Sequence, residues 1–320
     1  MAIAYRPATL DDAALAADLM TAAYPAMAHD PVITRYRWET PRHGFAYARF
    51  IAERDGRPIA FLDWMHGPWD QLTDRHCEVE VWLDLAALDQ RVLCDMWTWI
   101  GGVAIRESPR LLLASCAEDE PETLGTLASL GYHRARTDRV WDLDLRKHGP
   151  RLLAEAEETR RTAAASGIQL TTLARWADPA AMPKLHELDA MTRQDIPTSL
   201  PITPETLDDF VHRTQSPDRR PDRYWIALDG DRPVALSYLR FPPVRGNVWT
   251  GYTCSHPRYR GRGLARAVKL QTLAQAVGLG VPSVRTGNDS QNAPILHINE
   301  KLGYVRRPGF VEHHKRVKIA

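Results

Sequence analysis

The sequence predicts an α/β protein (α+β by some schemes) built as two tandem copies of one plan. Each copy is a mixed, mostly antiparallel sheet flanked by helices. Three observations predict it. Asp55-Gly56-Arg57-Pro58-Ile59-Ala60 recurs as Asp229-Gly230-Asp231-Arg232-Pro233-Val234-Ala235, each set between two strand-like runs. Leu130-Gly131-Tyr132 recurs as Leu302-Gly303-Tyr304. Gly56 and Gly230 lie 174 residues apart and Gly131 and Gly303 lie 172 apart, which is one nearly constant repeat.

Each element has a local cause. Ile3-Ala4-Tyr5 reads as an opening strand. Phe50 to Arg54 and Ile59 to Trp64 flank an Asp-Gly hairpin, as Tyr224 to Leu228 and Val234 to Leu239 do in the second copy. Arg151 to Thr162 is rich in Ala, Glu and Arg with few large apolar residues, and Ala163 to Gly167 is small. The domains are therefore expected at 1–150 and 167–320, with a linker at 151–166. Ser216 to Arg223, rich in Pro and Arg, reads as a loop. Asn247 to Cys254 reads as a strand, Leu264 to Val277 as a helix closed near Gly278 and Gly280, Val281 to Thr286 as a strand, and Ala293 to Leu302 as a last helix.

Between that strand and helix runs Arg258-Tyr259-Arg260-Gly261-Arg262-Gly263-Leu264-Ala265. Two glycines let the backbone approach an anion closely. The first-turn N–H groups of a helix have no intrahelical partner and point at it. Three arginines add charge-assisted contacts. The run suits a polyphosphate. It lacks both the Gly-x-x-x-x-Gly-Lys-Ser/Thr loop and the third glycine of a dinucleotide fingerprint. The corresponding stretch of the first copy, Asp84-Leu85-Ala86-Ala87-Leu88-Asp89-Gln90-Arg91, has no glycine and two carboxylates, which repel a pyrophosphate. Gly101-Gly102 lies too far along to substitute.

Composition narrows the classes. The chain has 320 residues, 44% hydrophobic and 25% charged, with a net charge of +1. That gives no global electrostatic case for nucleic acid or a membrane surface. Only six residues are lysine, against 35 arginines. Cys77, Cys94, Cys116 and Cys254 form no Cys-x-x-Cys and read as free thiols, so a metal site is not expected. A cytoplasmic protein is expected: the N-terminus shows no basic region followed by an apolar core, and no apolar run reaches transmembrane length.

Arg258-x-x-Gly261-x-Gly263 resembles the Arg/Gln-x-x-Gly-x-Gly/Ala signature of the GNAT acetyltransferase superfamily. Asn292…Leu302-Gly303-Tyr304 resembles its Asn…Leu-Gly-Phe segment, with Tyr for Phe. The resemblance implies two tandem GNAT-like domains, the first degenerate, as in tandem proteins with one working half such as mycothiol synthase. The implied activity is transfer of an acetyl or related acyl group from a CoA thioester to the amine of a small molecule, by a monomer or homodimer. The implied donor-binding residues are Thr253, Cys254, Ser255, Arg258, Tyr259, Arg260, Gly261, Arg262, Gly263, Leu264, Ala265, Asn288 and Asn292.

An alkyl amine has a pKa near 10.4, so roughly one molecule in a few thousand is neutral at pH 7, and a base must help. The family's usual base position is Asn247 here, and its usual acid position, four residues before Gly303, is Asn299. Asn donates a hydrogen bond but not a proton. Tyr252 and Tyr304 are the replacement candidates beside Asn299. His256 reads as assisting binding, His297 as a surface or packed residue, and Cys254 as a small buried strand residue rather than a nucleophile. Asp189 to Thr203 matches the family's substrate loop, with Asp195 placed to orient an ammonium. A carrier-protein-bound or tRNA-borne donor, and a non-catalytic acyl-CoA-binding or sensing role, remain open alternatives. The three arginines favour free CoA.

Overall fold

The computed structural model describes residues 3–317. In the first half, β1 (Ile3–Pro7) leads to α1 (Ala13–Ala23) and α2 (Pro31–Glu39). The hairpin β2 (Ala46–Arg54) and β3 (Arg57–His66) follows, then β4 (His76–Leu83), α3 (Gln90–Ala104), β5 (Leu111–Ala117), α4 (Pro121–Ser129) and β6 (His133–Asp144). Helix α5 (Leu145–Ala165) joins the halves. The second half repeats the plan with β7 (Ile168–Thr172), α6 (Ala181–Arg193), α7 (Leu207–Thr214), β8 (Tyr224–Asp229), β9 (Arg232–Arg240) and β10 (Trp249–Ser255). It ends in α8 (Leu264–Gly278), β11 (Ser283–Asp289), α9 (Ala293–Leu302) and β12 (Val305–Arg316).

Among the described residues, twelve strands form one sheet in the order β1-β2-β3-β4-β5-β12-β6-β11-β10-β9-β8-β7. The halves exchange their final strands. β12 of the second half pairs antiparallel with β5 of the first, from Phe310↔Ala117 to Arg316↔Leu111. β6 of the first half pairs antiparallel with β11 of the second, from Ser283↔Asp144 to Asp289↔Asp138. β6 and β12 pair with each other between them. The sequence reading does not anticipate these two strands. His133–Asp144 and Val305–Arg316 are studded with Arg, His, Lys and acidic residues, which hide the period of two.

Helices cover both faces. Behind β2 to β5, α3 and α4 close a core around Met96, Trp97, Ile100 and Leu127. On the other face α1 packs Ala16, Ala17 and Leu19 against Ile51 and Phe61. In the second half α5, α8 and α9 bury Leu152, Leu270, Leu273, Leu296 and Leu302 over β6 and β11, while α6 and α7 cover β8 to β10 with Leu185, Leu188 and Phe210.

The stretch expected as a linker at 151–166 is thus a packed helix for most of its length. Its apolar positions are few but correctly spaced: Leu152, Ala156 and Ala163 are buried. Asp144 caps it by accepting the N–H groups of Arg146 and Lys147, at 2.9 and 3.1 Å. Gln271 of α8 donates to Ala156 O at 2.8 Å and accepts from Arg160 at 2.6 Å. These contacts fix α5 against the helix that follows the glycine turn.

Candidate functional site

The site begins where the sheet parts. β10 and β11 run parallel but share a single rung, Trp249↔Arg285, and diverge beyond it. The matching pair of the first half, β4 and β5, keeps four rungs, from His76↔Leu111 to Val79↔Ala114. A register shift between Thr250 and Tyr252 places a bulge at Gly251 on β10. A Cβ at Gly251 would overlap the Tyr238 ring, so only glycine lets β10 bend there. Past the rung, the β10 edge that faces β11 has no strand partner.

The mouth of the parting is the arginine and glycine turn. His256 Nδ1 accepts the Arg258 N–H at 3.1 Å and starts the one-turn helix Pro257–Tyr259. Tyr259 donates its hydroxyl to Asp229 at 2.6 Å, tying the turn to the β8–β9 hairpin. Gly261 and Gly263 both sit at φ +75°, and nothing lies within 4 Å of where their Cβ atoms would be. Gly263 is the N-cap of α8 and has no side chain to occupy the first-turn N–H groups. Those of Leu264, Ala265 and Arg266 stay open. They carry the positive end of the α8 dipole.

One cleft of about 1250 Å³ runs from this turn through the parting to the junction of the two halves. Of the sequence candidates, Thr253, Cys254, Ser255, Tyr259, Arg260, Gly261, Gly263, Leu264, Ala265, Asn288 and Asn292 line it. Arg258 and Arg262 are exposed and lie outside that lining; Arg262 rests over the Tyr259 ring, 4.9 Å from its centre. The residues that line the cleft fit a polyphosphate followed by a narrow amide-bearing arm: open N–H groups at one end, an unpaired strand edge beyond.

The catalytic candidates separate. Tyr252 lines the cleft and donates its hydroxyl to Thr192 at 3.1 Å. Burial, with Cys254 beside it, pushes its pKa up and keeps the phenol protonated. Tyr304 is buried in the second core, not in the cleft lining. Asn299 is also fully buried behind the lining; it donates to Asn288 Oδ1 at 2.7 Å. Both side chains lie behind the cleft lining: Tyr304 packs in the second core, and Asn299 bridges Asn288 and Lys269, which border the cleft. Asn247 lines the cleft and donates to Ala26 O at 3.1 Å. His256 is buried as a cap, and His297 is exposed on α9. Burial pushes the Cys254 thiol up to about 12, so it is no thiolate at neutral pH.

Asp195 lines the cleft but is ion-paired with Arg260 of the turn. Rather than standing free for an ammonium, it ties the substrate loop to the glycine turn.

Sequence reasoning missed Lys269. This α8 residue has 0% exposure yet borders the cleft. Its Nζ donates to Asn299 Oδ1 at 2.9 Å and sits 5.0 Å from the centre of the Tyr304 ring. Among the described residues no carboxylate pairs with it, and burial pushes its pKa down to about 7. A lysine among Val268, Leu270 and Leu273 leaves one visible signal, a basic residue on the apolar stripe of a helix.

The first half holds no such mouth. Asp89, the N-cap of α3, accepts the N–H groups of Arg91 and Val92 at 2.9 and 3.1 Å. Asp84 accepts from Ala86 at 2.9 Å. The first half instead walls the cleft, through Ile33 and Arg37 of α2 and Arg136, Asp138 and Val140 of β6. Among the described residues, no group of His, Cys, Asp and Glu is arranged to hold a metal ion, and no helix is long and apolar enough to cross a membrane.

Residues 186–304 match the family model described as Acetyltransferase (GNAT) family. No curated protein matches the chain significantly. Among solved structures, a tandem GNAT protein from the clavulanic acid biosynthesis pathway is similar at 16% identity, covering 100% of both chains with a TM-score of 0.78. A GCN5-related N-acetyltransferase from Sphaerobacter thermophilus is similar at 18% identity, covering 99% of this chain and 97% of its own with a TM-score of 0.68. A putative acetyltransferase from Pyrococcus horikoshii is similar at 9% identity, covering 99% and 90% with a TM-score of 0.55. At these identities the likeness is one of fold.

Proposed function

We propose that this chain, a tandem GNAT fold whose residues 186–304 form an acetyltransferase-type domain, moves an acetyl or related acyl group from free CoA to the amine of a small molecule. Only the second half binds the donor. The observation that carries the reading is the parting of β10 from β11 beyond Trp249↔Arg285, which leads from the open N–H groups of α8 to Tyr252 in one continuous cleft.

In this reading the donor's pyrophosphate lies on the N–H groups of 261–266, with Arg260 and Arg266 alongside. The unpaired edge of β10 at Thr253 to Ser255 holds the pantetheine amides. The neutral amine attacks the thioester carbonyl. The C–N bond forms, the C–S bond breaks, and the nitrogen gives its proton to water in the cleft. Tyr252, held protonated and oriented by Thr192, donates its proton to the departing thiolate and regains one from solvent. Asn288, held from behind by Asn299, positions the α9 side of the arm.

The test is a calorimetric titration with acetyl-CoA, followed by thiol release with a panel of small amines. One site per chain and amine-dependent thiol release are expected. Binding without turnover of any amine would favour an acyl-CoA sensor. No binding would sink the reading, and two sites would mean that the first half also takes a donor.

A further inference from the structure

At the end of the cleft away from the glycine turn, three guanidinium groups converge. Arg37 projects from α2 of the first half, Arg240 ends β9, and Arg219 lies in the loop before β8. Arg37, Arg240 and Asp218 line the cleft. Arg240 pairs with Trp249, and Ala235 with Ser255, so the cluster and the turn stand at opposite ends of β10. Six residues of strand separate them, roughly 20 Å at about 3.3 Å per residue. The cluster is therefore not a second contact for the pyrophosphate.

Two carboxylates, Asp218 and Glu80, stand against its three cations, so its charge is only partly balanced by the protein. Asp218 is 3% exposed and engaged by the Ser216 hydroxyl at 2.6 Å. Its carboxylate stands 4.0 Å from Arg240 Nε, beyond hydrogen-bond reach. Arg240 Nε and Arg219 Nε and Nη1 are buried with no hydrogen-bond partner. Glu80, the other carboxylate facing Arg37, is itself held by Trp82 Nε1 at 2.9 Å. Burial, with the Arg219 guanidinium facing it, lowers the pKa of Arg240. Guanidinium only donates, so these unfilled N–H groups can be satisfied only by an acceptor, and best by an anion.

We propose that Arg37 and Arg240, backed by Arg219 from behind the lining where it stacks on the Tyr238 ring, form the acceptor's recognition pocket, and that the acceptor amine carries an anionic group, a carboxylate or a phosphate, at its far end. This deepens the acyltransferase reading and rests on it for calling the ligand an acceptor. Because Arg37 comes from the first half and the other two from the second, the pocket exists only in the tandem chain. It gives the copy without a donor loop a part in the reaction. The anion anchors at the arginines, and the amine points back toward Tyr252.

The test uses the full chain saturated with CoA, so that the donor's phosphate site is filled. Thermal melts are recorded with acetate and, separately, inorganic phosphate, at constant ionic strength. One anion is expected to raise the melting temperature of the wild type by binding the native state. Its apparent Kd is expected to weaken at least about tenfold in Arg37→Gln, whose side chain faces the open cleft, and in Arg219→Gln. Acetate as the effective anion assigns a carboxylate, phosphate a phosphate ester. If neither anion stabilises the wild type more than the two variants, the pocket is not an anion site. Acetyl-CoA titration of the same variants reads the donor site independently, so its failure and that of the anion pocket are told apart.

Discussion

Asp89 and Gly263 hold the same place in the two halves, 174 residues apart, each the N-cap of a fifteen-residue helix. Asp89 fills the open N–H groups with its own carboxylate, whereas Gly263 leaves them for a ligand. A capping carboxylate on extended backbone at Asp89, and a left-handed glycine with none at Gly263, thus separate a self-satisfied helix end from one with open N–H groups, the proposed anion site.

Gly263→Asp should convert the second into the first. The new carboxylate at the open end of α8 would repel the pyrophosphate. Acetyl-CoA affinity is expected to fall at least about a hundredfold by calorimetry. The φ of +75° costs a non-glycine residue about 1–2 kcal/mol, so the melting temperature should drop only modestly. Native affinity in this variant would mean that the donor sits elsewhere. Gly261→Asp, at the other open glycine, should behave alike.

Lys269→Met removes a buried amine whose pKa is pushed down from 10.5 to about 7. Between those values the unfolded chain binds a proton that the native chain does not. Wild-type stability from this group therefore rises with pH across that window, by up to about 1.4 kcal/mol per unit, and levels off above it. The methionine variant should be several kcal/mol more stable at pH 7, and that advantage should shrink toward pH 10. Urea melts at pH 7, 8.5 and 10 check this; parallel curves for the two proteins would show that Lys269 keeps an ordinary pKa.

Tyr252→Phe should leave acetyl-CoA binding unchanged while lowering kcat by about 10²–10³. Thiol-release kinetics and calorimetry on the same preparation read the two effects separately. A variant with full kcat would remove Tyr252 from the proton path.

Gly251→Ala forces a methyl group into the Tyr238 ring. A loss of about 1–3 kcal/mol is expected, with weaker donor binding because the bulge shapes the parting of β10. Tyr238→Leu in the same chain should recover part of both, since the two sites are in contact. Additive losses would refute the clash.

Local features were legible in the sequence and long-range ones were not. The Gly261/Gly263 turn, the helix behind it and the two hairpins are written in residues a few positions apart. The exchange of β6 and β12 leaves no local mark, because strand pairing across the halves joins residues far apart along the chain. Helix α5 was hidden by its short apolar stripe. Lys269 was hidden because lysine is read as exposed, and only the packing of α8 against α9 buries it. The Asp195–Arg260 pair and the Arg37–Arg219–Arg240 cluster likewise depend on tertiary approach.

The exchanged strands also bear on how the chain is made. Leu111 of β5 must wait for Arg316 of β12, 205 residues downstream. At about 5–20 residues per second, a ribosome needs roughly 10–40 s to supply that stretch. During that interval the nascent first half carries an open sheet edge at β5 beside a finished core, a surface on which stray strands can dock. Folding of this protein is thus completed after, not during, synthesis of its first half.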